Sequence, residues 1–282
     1  GKLRKEAVEK AASADRVVLF LGEHESESGE GGSKGKIRRS KHQRELLDEI
    51  EKVNSEIILV LFAGRPLVLT EEINKVKGLI MAWFPGTEAG EAMANILFGD
   101  VNPSGKLSMS FPVHEGQIPV YYNTFSTGRP KPKDGRPDRF YSQYLDIPNE
   151  PLFPFGYGLS YTNFSYTDIC LDKKILKGEE DILHASVKVK NTGNNKGKEI
   201  VQLYIRDNKG SVVRPVKELK DFRKIELEPG QEENIIFEVK EEMLRFWDIN
   251  MEYKSEPGDF EIWIGGSSNT DNKEKFCYRN LD

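Results

Sequence analysis

The segment from Gly22 to Ser40, GEHESESGEGGSKGKIRRS, gathers Glu23, Glu25, Glu27 and Glu30, then Lys34, Lys36, Arg38 and Arg39. A carboxylate held by a glycine-rich turn beside other acids can have its proton affinity raised by their repulsion, which suits it to general-acid work. The same composition also describes a solvated, mobile charged loop, and residue types alone leave both readings open. Other chemistries find less to work with. Gly29, Gly31, Gly32 and Gly35 have neither the GxGxxG spacing nor a following GK[ST], which counts against a nucleotide-binding α/β module. His24 stands among acids, but His42, His114 and His184 are scattered without HxxxH spacing, and no metal site is expected. Cys170 and Cys277 are the only two cysteines and read as packed thiols rather than as a disulfide framework or a zinc site.

The elements that must position this loop are legible on both sides of it. Arg4–Ala14 reads as a charged, Ala-rich helix, and Val17–Gly22 (VVLFLG) as a short, continuously apolar strand. His42–Val53 places Leu46, Leu47, Ile50 and Val53 on one helical face. Ile57–Ala63 and Gly78–Trp83 are further apolar strands, and Ala89–Phe98 is a helix with a strand expected after it. Strands without polar alternation are buried on both faces, as in parallel sheets covered by helices. Residues 1–111 are therefore expected to form a parallel or mixed α/β domain. The loop leaves the carboxyl end of its first strand, where such sheets bind ligands, and it far exceeds the usual two to six residues of such a connection.

Residues 112–161 change character. Prolines run from Pro112 to Pro154, Pro137 among them, and aromatics such as Tyr121, Tyr122, Phe153, Phe155 and Tyr157 crowd beside them. A flexible linker would be Gly/Ser-rich instead, so an ordered connecting segment is expected. From 162 to 282 the period drops to two. Ala185–Val189, Val201–Ile205, Ile235–Val239 and Phe260–Ile264 read as strands separated by turn signals such as Pro229-Gly230 and Pro257-Gly258. About seven short strands in such a length indicate a β-sandwich of immunoglobulin or fibronectin type. Trp83, Trp247 and Trp263 are expected in cores.

Composition bounds the partners. The 282 residues are 37% hydrophobic, enough for real cores, and 31% charged, yet 46 acids offset 41 bases to leave −5. A nucleic-acid partner would call for a basic excess or stripe, and neither is present. The longest apolar run, Ile57–Ala63, falls far short of the ~20 residues of a membrane span.

Several longer blocks then carry a resemblance: WFPGTEAGEAMANILFGDVNPSGKLSMSFP at 83–112, GQIPVYYN at 116–123, NEPLFPFGYGLSYT at 149–162, RPVKELKDFRKIELEPG at 214–230 and EPGDFEIWIG at 256–265. In order and along essentially the whole chain, these blocks resemble glycoside hydrolase family 3, the β-glucosidases and β-xylosidases. The resemblance implies an α/β sandwich domain, here lacking its opening strand, followed by a fibronectin type III-like domain. It also implies an N-terminal TIM-barrel portion, lying outside this chain, that carries the nucleophilic Asp. The family's general acid/base is a Glu in a pattern like SGE-(A/G)-x-S-R. SGEGGSK at 28–34 matches it and implies Glu30, with Lys34 standing where Arg is usual and Glu27 as the rival, since this loop varies in length. The activity implied is retaining hydrolysis of a β-linked glycoside or oligosaccharide without cofactor or metal, with this chain inactive alone. Lys34 or Arg38 nearby would hold Glu30 ionised, whereas Glu27 and apolar cover would raise its proton affinity. The alternative is a non-catalytic carbohydrate-binding or scaffolding protein of the same descent, with the 112–161 aromatics as its sugar surface. The compartment is left open between bacterial cytoplasm and periplasm or exterior.

Overall fold

The computed structural model describes residues 1–132 and 139–281; Pro137, within the Pro-rich stretch, lies outside the described residues. The chain divides into two compact units. The first comprises Gly1–Asp100, Phe111–Pro119 and Ile147–Leu152, and the second Val101–Ser110, Val120–Asp146 and the chain from Phe153 onward.

In the first unit the order is α1 (Lys2–Ala12), β1 (Val17–Gly22), α2 (Lys41–Glu51), β2 (Ile57–Phe62), β3 (Gly78–Met81) and α3 (Ala89–Phe98). The strands form a parallel sheet in the order β1-β2-β3, with Val17 opposite Ile57 and Ile58 opposite Gly78. Parallel neighbours need a crossover, and α2 supplies the one between β1 and β2. Ala11 of α1, Leu47 and Ile50 of α2 and Ile57 of β2 pack on one face, while Met93 of α3 joins Val60 and Ala82 on the other. The middle strand is thus covered on both sides, which is why β2 is apolar without alternation. Ser40 caps α2 by accepting from the Gln43 N–H at 3.4 Å, and Gly99, at φ 85°, ends α3 in the left-handed conformation.

Two expectations for this unit need correction. β3 stops at Met81 rather than Trp83, because Trp83 turns out of the strand at φ 53°. Its ring is half-buried and meets Phe111 edge-on at 5.8 Å. Among the described residues of this unit no strand follows α3.

The second unit is built from antiparallel hairpins. β7 (Ile182–Asn191) pairs with β10 (Glu232–Lys240), β4 (Phe164–Tyr166) and β5 (Cys170–Leu171). The opposing sheet runs β6 (Ile175–Lys177), β14 (Lys273–Arg279), β13 (Gly258–Gly265), β8 (Gly197–Asp207) and β9 (Glu218–Leu227). Only the β6–β14 pair in this sheet is parallel. Inward residues of both sheets, including Val187, Phe237, Leu203, Ile262 and Phe276, form one core, the arrangement of a β-sandwich.

Trp263 is buried, but Trp247 is 60% exposed and the expectation that it is core is wrong. It lies in the short hairpin of β11 (Phe246–Trp247) and β12 (Tyr253–Lys254), against Tyr253 at 5.5 Å. Two-residue strands have no second sheet to bury an outward ring. The cysteines are unbridged, yet Cys170 is exposed and Cys277 only half-buried, so neither is a fully packed thiol.

One polar cluster sits inside this unit. Lys106 Nζ lies 3.1 Å from Glu199 Oε1 and donates to the Gly158 carbonyl at 2.8 Å, and the Tyr166 hydroxyl donates to Glu199 Oε1 at 3.2 Å. Burial pushes the Glu199 carboxyl above the usual carboxylate range, although Lys106 opposes it.

Candidate active site

The charged loop begins where β1 ends, and its root is fixed by a residue that sequence reasoning did not single out. The Gln43 side chain donates to the Gly22 carbonyl at 2.7 Å and accepts from the Gly22 N–H at 3.3 Å, tying α2 to the last residue of the strand. Glu23 follows with a side chain only 2% exposed. A buried carboxylate needs partners, and here two cations supply them. Arg65, just beyond β2, donates from Nε to Glu23 Oε2 at 3.1 Å, and Lys34 Nζ lies 3.1 Å from Glu23 Oε1.

Arg65 does more than neutralise Glu23. Its Nη2 donates to the main-chain carbonyls of Glu27 at 2.6 Å and Gly32 at 2.8 Å. One guanidinium therefore spans the base of the loop and holds both ends of the 27–32 segment. The planar fork of Arg suits this task, where a lysine ammonium would not. The sequence signal that could have found Arg65 is its place at the carboxyl end of a parallel strand adjoining β1.

Glu27 is committed to structure. Glu25–Glu27 form a turn of 3-10 helix capped by His24, whose Nδ1 accepts from the Ser26 N–H at 3.2 Å. Glu27 Oε2 accepts reciprocally from the His24 N–H at 3.2 Å, completing a capping box. Its other oxygen accepts from Lys34 Nζ at 3.0 Å. The Lys34 hydrogen bond, then the His24 N–H, hold the Glu27 carboxyl below its ordinary range. Lys34 is raised in turn: burial works against its charge, but the bonds to Glu27 and Glu23 outweigh it.

Glu30 stands apart. The Gly32 N–H donates to the Gly29 carbonyl at 3.0 Å, closing a four-residue turn with Glu30 second and Gly31 third. Gly31 has φ 74°, the left-handed value that the third position of a type II turn demands and that favours glycine. Glu30 is exposed at the tip of this turn, and among the described residues it has neither a hydrogen bond nor an ion pair. Lys34 goes instead to Glu23 and Glu27, and Arg38 to Glu115 at 2.9 Å and Glu71 at 3.1 Å. Neither Lys34 nor Arg38 is paired with Glu30. Below the turn, Gly64 lets the loop seat closely, since a Cβ there would collide with Ser28 Oγ and the Phe84 ring.

The loop thus divides its acids by role. Glu23 and Glu27 are anchored by Lys34 and Arg65; Glu25, in the 3-10 turn, and Glu30, at the tip of the glycine-flanked turn, are exposed without side-chain partners among the described residues. Among the described residues no group of three or more His, Cys, Asp or Glu side chains could hold a metal ion, and His24 serves as a cap.

The chain as a whole is similar to known proteins. Residues 2–161 match the glycosyl hydrolase family 3 C-terminal domain, and residues 199–268 a fibronectin type III-like domain. A periplasmic beta-glucosidase of Salmonella typhimurium is 43% identical over 263 residues, 93% of this chain and 34% of the relative. A beta-xylosidase of Formosa agariphila is 39% identical over 94% of this chain and 36% of its own length. The crystal structure of a beta-glucosidase from Listeria innocua in complex with glucose superposes with a TM-score of 0.92 at 42% identity, covering 97% of this chain and 38% of that one. The chain therefore spans about a third of the length of the curated relatives it matches.

Proposed function

The chain belongs to glycosyl hydrolase family 3, and from that premise we propose that it is the C-terminal portion of a retaining, exo-acting β-glycosidase in which Glu30 is the general acid/base. The observation that carries this reading is the division of labour in the loop. Of its four glutamates, Glu23 and Glu27 are held by Lys34 and Arg65, Glu25 and Glu30 are exposed without a side-chain partner among the described residues, and of these two only Glu30 sits on a glycine-flanked turn, Glu25 being in the 3-10 turn capped by His24. A carboxylate that must give and take a proton each cycle has to stay clear of permanent cationic partners, which would hold it ionised.

Retaining hydrolysis needs a second carboxylate about 5–5.5 Å away as nucleophile. We assign it to the N-terminal portion that the relatives possess and this chain does not span. The nucleophile attacks the anomeric carbon, the glycosidic C–O bond breaks, and Glu30 gives its proton to the departing oxygen. Glu30 then takes a proton from water as that water attacks the anomeric carbon and displaces the nucleophile. The sugar leaves with its configuration retained. The names of the relatives support β-glucosides or β-xylosides as the substrate class. Because each carboxylate here supplies at most half of this reaction, the chain alone is inactive.

The test is turnover of aryl β-glucosides and β-xylosides by the purified chain, alone and after assembly with the N-terminal portion. No turnover alone and hydrolysis with retained configuration after assembly are expected. Hydrolysis by the chain alone would overturn the division of carboxylates between portions. An assembled but inactive protein that still binds the glycoside would favour the non-catalytic alternative.

A further inference from the structure

The chain leaves β3 through a backbone conformation that its residue type resists. Trp83 sits at φ 53°, in the left-handed region where a bulky residue is an outlier. Such strain persists only where the surroundings hold it, and it gathers at active sites and ligand clamps. Here the Trp83 ring is held, half-buried and edge-on to Phe111 at 5.8 Å. The next residue, Phe84, is left 66% exposed.

The Phe84 ring stands against the acid loop. A Cβ placed on Gly64 would lie 2.6 Å from Phe84 Cε2 and 2.4 Å from Ser28 Oγ. The ring edge and the Ser28 hydroxyl therefore meet over one glycine, just beyond β2. Ser28 directly precedes the turn that carries Glu30, closed by the Gly32 N–H on the Gly29 carbonyl. Three connections thus converge at the carboxyl ends of the parallel strands, where such sheets bind ligands. From β1 comes the carboxylate, from β2 the glycine seat, and from β3 the ring.

Burial gives little reason for a ring in this place. Among the described residues of the first unit, the other exposed aromatics are Phe20, inside β1, and Phe98, the last residue of α3. Only Phe84 stands beside the acid turn. Its open ring offers an apolar face, and a pyranose presents a face of C–H bonds that can lie on it. A general acid must reach the glycosidic oxygen. Whatever flanks that acid therefore flanks the group that departs with the oxygen.

We propose that Phe84 is a specificity-determining residue, the platform on which the leaving-group pyranose of a β-linked oligosaccharide stacks while Glu30 protonates the glycosidic oxygen. This inference rests on the acid/base reading of Glu30.

The test uses the enzyme assembled from this chain and the N-terminal portion. Two substrates of one sugar are compared, a β-linked glucose disaccharide and methyl β-glucoside. Both need a proton on the leaving oxygen, but only the disaccharide has a leaving ring to stack. Phe84→Ala should lower kcat/KM for the disaccharide at least about tenfold more than for methyl β-glucoside, and Phe84→Trp should restore the ratio. The second readout is the fate of the glycosyl-enzyme formed from an activated aryl β-glucoside. Free glucose competes with water for it, the attacking hydroxyl giving its proton to Glu30 as its oxygen bonds the anomeric carbon. Phe84→Ala should shift this partition toward hydrolysis by about tenfold. Phe98→Ala, which removes an exposed ring away from the turn, should move neither readout. Equal losses on both substrates with the partition unmoved would mean that the ring props the loop or docks on the N-terminal portion, and would overturn the proposal. No loss on either substrate would overturn it equally. Glu30→Ala tells the two readings apart. Its loss on both substrates persists if only the platform is wrong, and is absent if the acid/base lies elsewhere, in which case both readings fall.

Discussion

Lys34 Nζ lies 3.0 Å from Glu27 Oε1, and this pair decides which carboxylate of the loop is free. Lys34 is only 22% exposed and also reaches Glu23, so it cannot turn to Glu30 without abandoning a buried acid. The pair completes what the capping box at His24 begins, and together they commit Glu27 to the shape of the loop.

The first prediction follows from the direction of the Glu27 shift. Its carboxyl is held below its ordinary value of 4.5, chiefly by the Lys34 hydrogen bond. The stabilisation it lends is therefore complete above pH 4.5 and is lost as pH falls through the lowered value. Glu27 is 41% exposed, so solvent screening keeps this contribution below about 1 kcal/mol. Amide exchange at Ser26 and Glu27 should accelerate only in acid, and NMR titration should place Glu27 below the free carboxylate. Lys34→Met should move that titration upward. A Glu27 titration unmoved by Lys34→Met would refute the assignment of the shift to this pair.

Arg65 carries the second prediction. Arg65→Lys keeps the charge facing Glu23 but cannot span the carbonyls of Glu27 and Gly32 together. The turn bearing Glu30 should loosen while the sheet beneath it stays intact. In the full-length enzyme kcat should fall by up to about a hundredfold, as for a catalytic group displaced by about an ångström, with KM changed little. Amide exchange at Gly29–Gly32 should rise in parallel. A fall in kcat with no change in loop exchange would mean that Arg65 acts in some other way.

Much of the fold was legible because burial leaves a local record. The continuous apolar run of β2 reports a strand covered on both faces, and the alternation in β7 and β10 reports a sandwich. The turn around Glu30 was legible for a related reason, since its glycines record a backbone conformation, whereas the acid/base role of Glu30 is implied by the family resemblance and remains a proposal. Arg65 and Gln43 left no such record. Their partners lie 42 and 21 positions away in the chain, and although the place of Arg65 just beyond β2 marks it as near the loop, nothing in the sequence around it tells which groups it clamps. Trp247 misled for the opposite reason: aromatic character suggests core, but a two-residue hairpin strand offers nothing to cover it. The end of β3 was missed because the left-handed turn at Trp83 uses a residue type that rarely adopts it.

The buried pair of the second unit supports a stability prediction. Glu199 has its carboxyl raised by burial and restrained by Lys106. Lys106→Met removes the restraint, strands the carboxylate and should destabilise the unit by about 3 kcal/mol at neutral pH. An acid whose folded value is raised weakens the fold as pH climbs from its unfolded value through the folded one. The deficit of Lys106→Met against the parent should therefore be larger at pH 7.5 than at pH 5. Adding Glu199→Gln should recover part of it. Equal deficits at both pH values would show that lost packing of the lysine stem, and not the stranded charge, is responsible.

The last prediction separates Glu30 from Glu27 within the complete enzyme. Removing the acid/base leaves attack by the nucleophile possible when the leaving group needs no proton. With Glu30→Ala, activated aryl glycosides should still form the glycosyl-enzyme, and its breakdown should become limiting for want of a base. Steady-state turnover should then fall about 10²–10⁴-fold, the usual worth of general acid–base help, with at least that loss on unactivated disaccharides. Azide needs no deprotonation, so it should restore turnover of activated substrates and yield a glycosyl azide of retained configuration. Glu27→Ala should behave differently. It removes the capping acceptor of His24 and a Lys34 partner, loosening the loop, but leaves the exposed carboxylate of Glu30 in place. Its loss should be smaller, should affect activated and unactivated substrates alike, and should not respond to azide. Rescue of Glu27→Ala and not of Glu30→Ala would move the acid/base three residues upstream, onto a carboxylate that the fold has already paired with Lys34. Rescue of neither would remove the role from this loop.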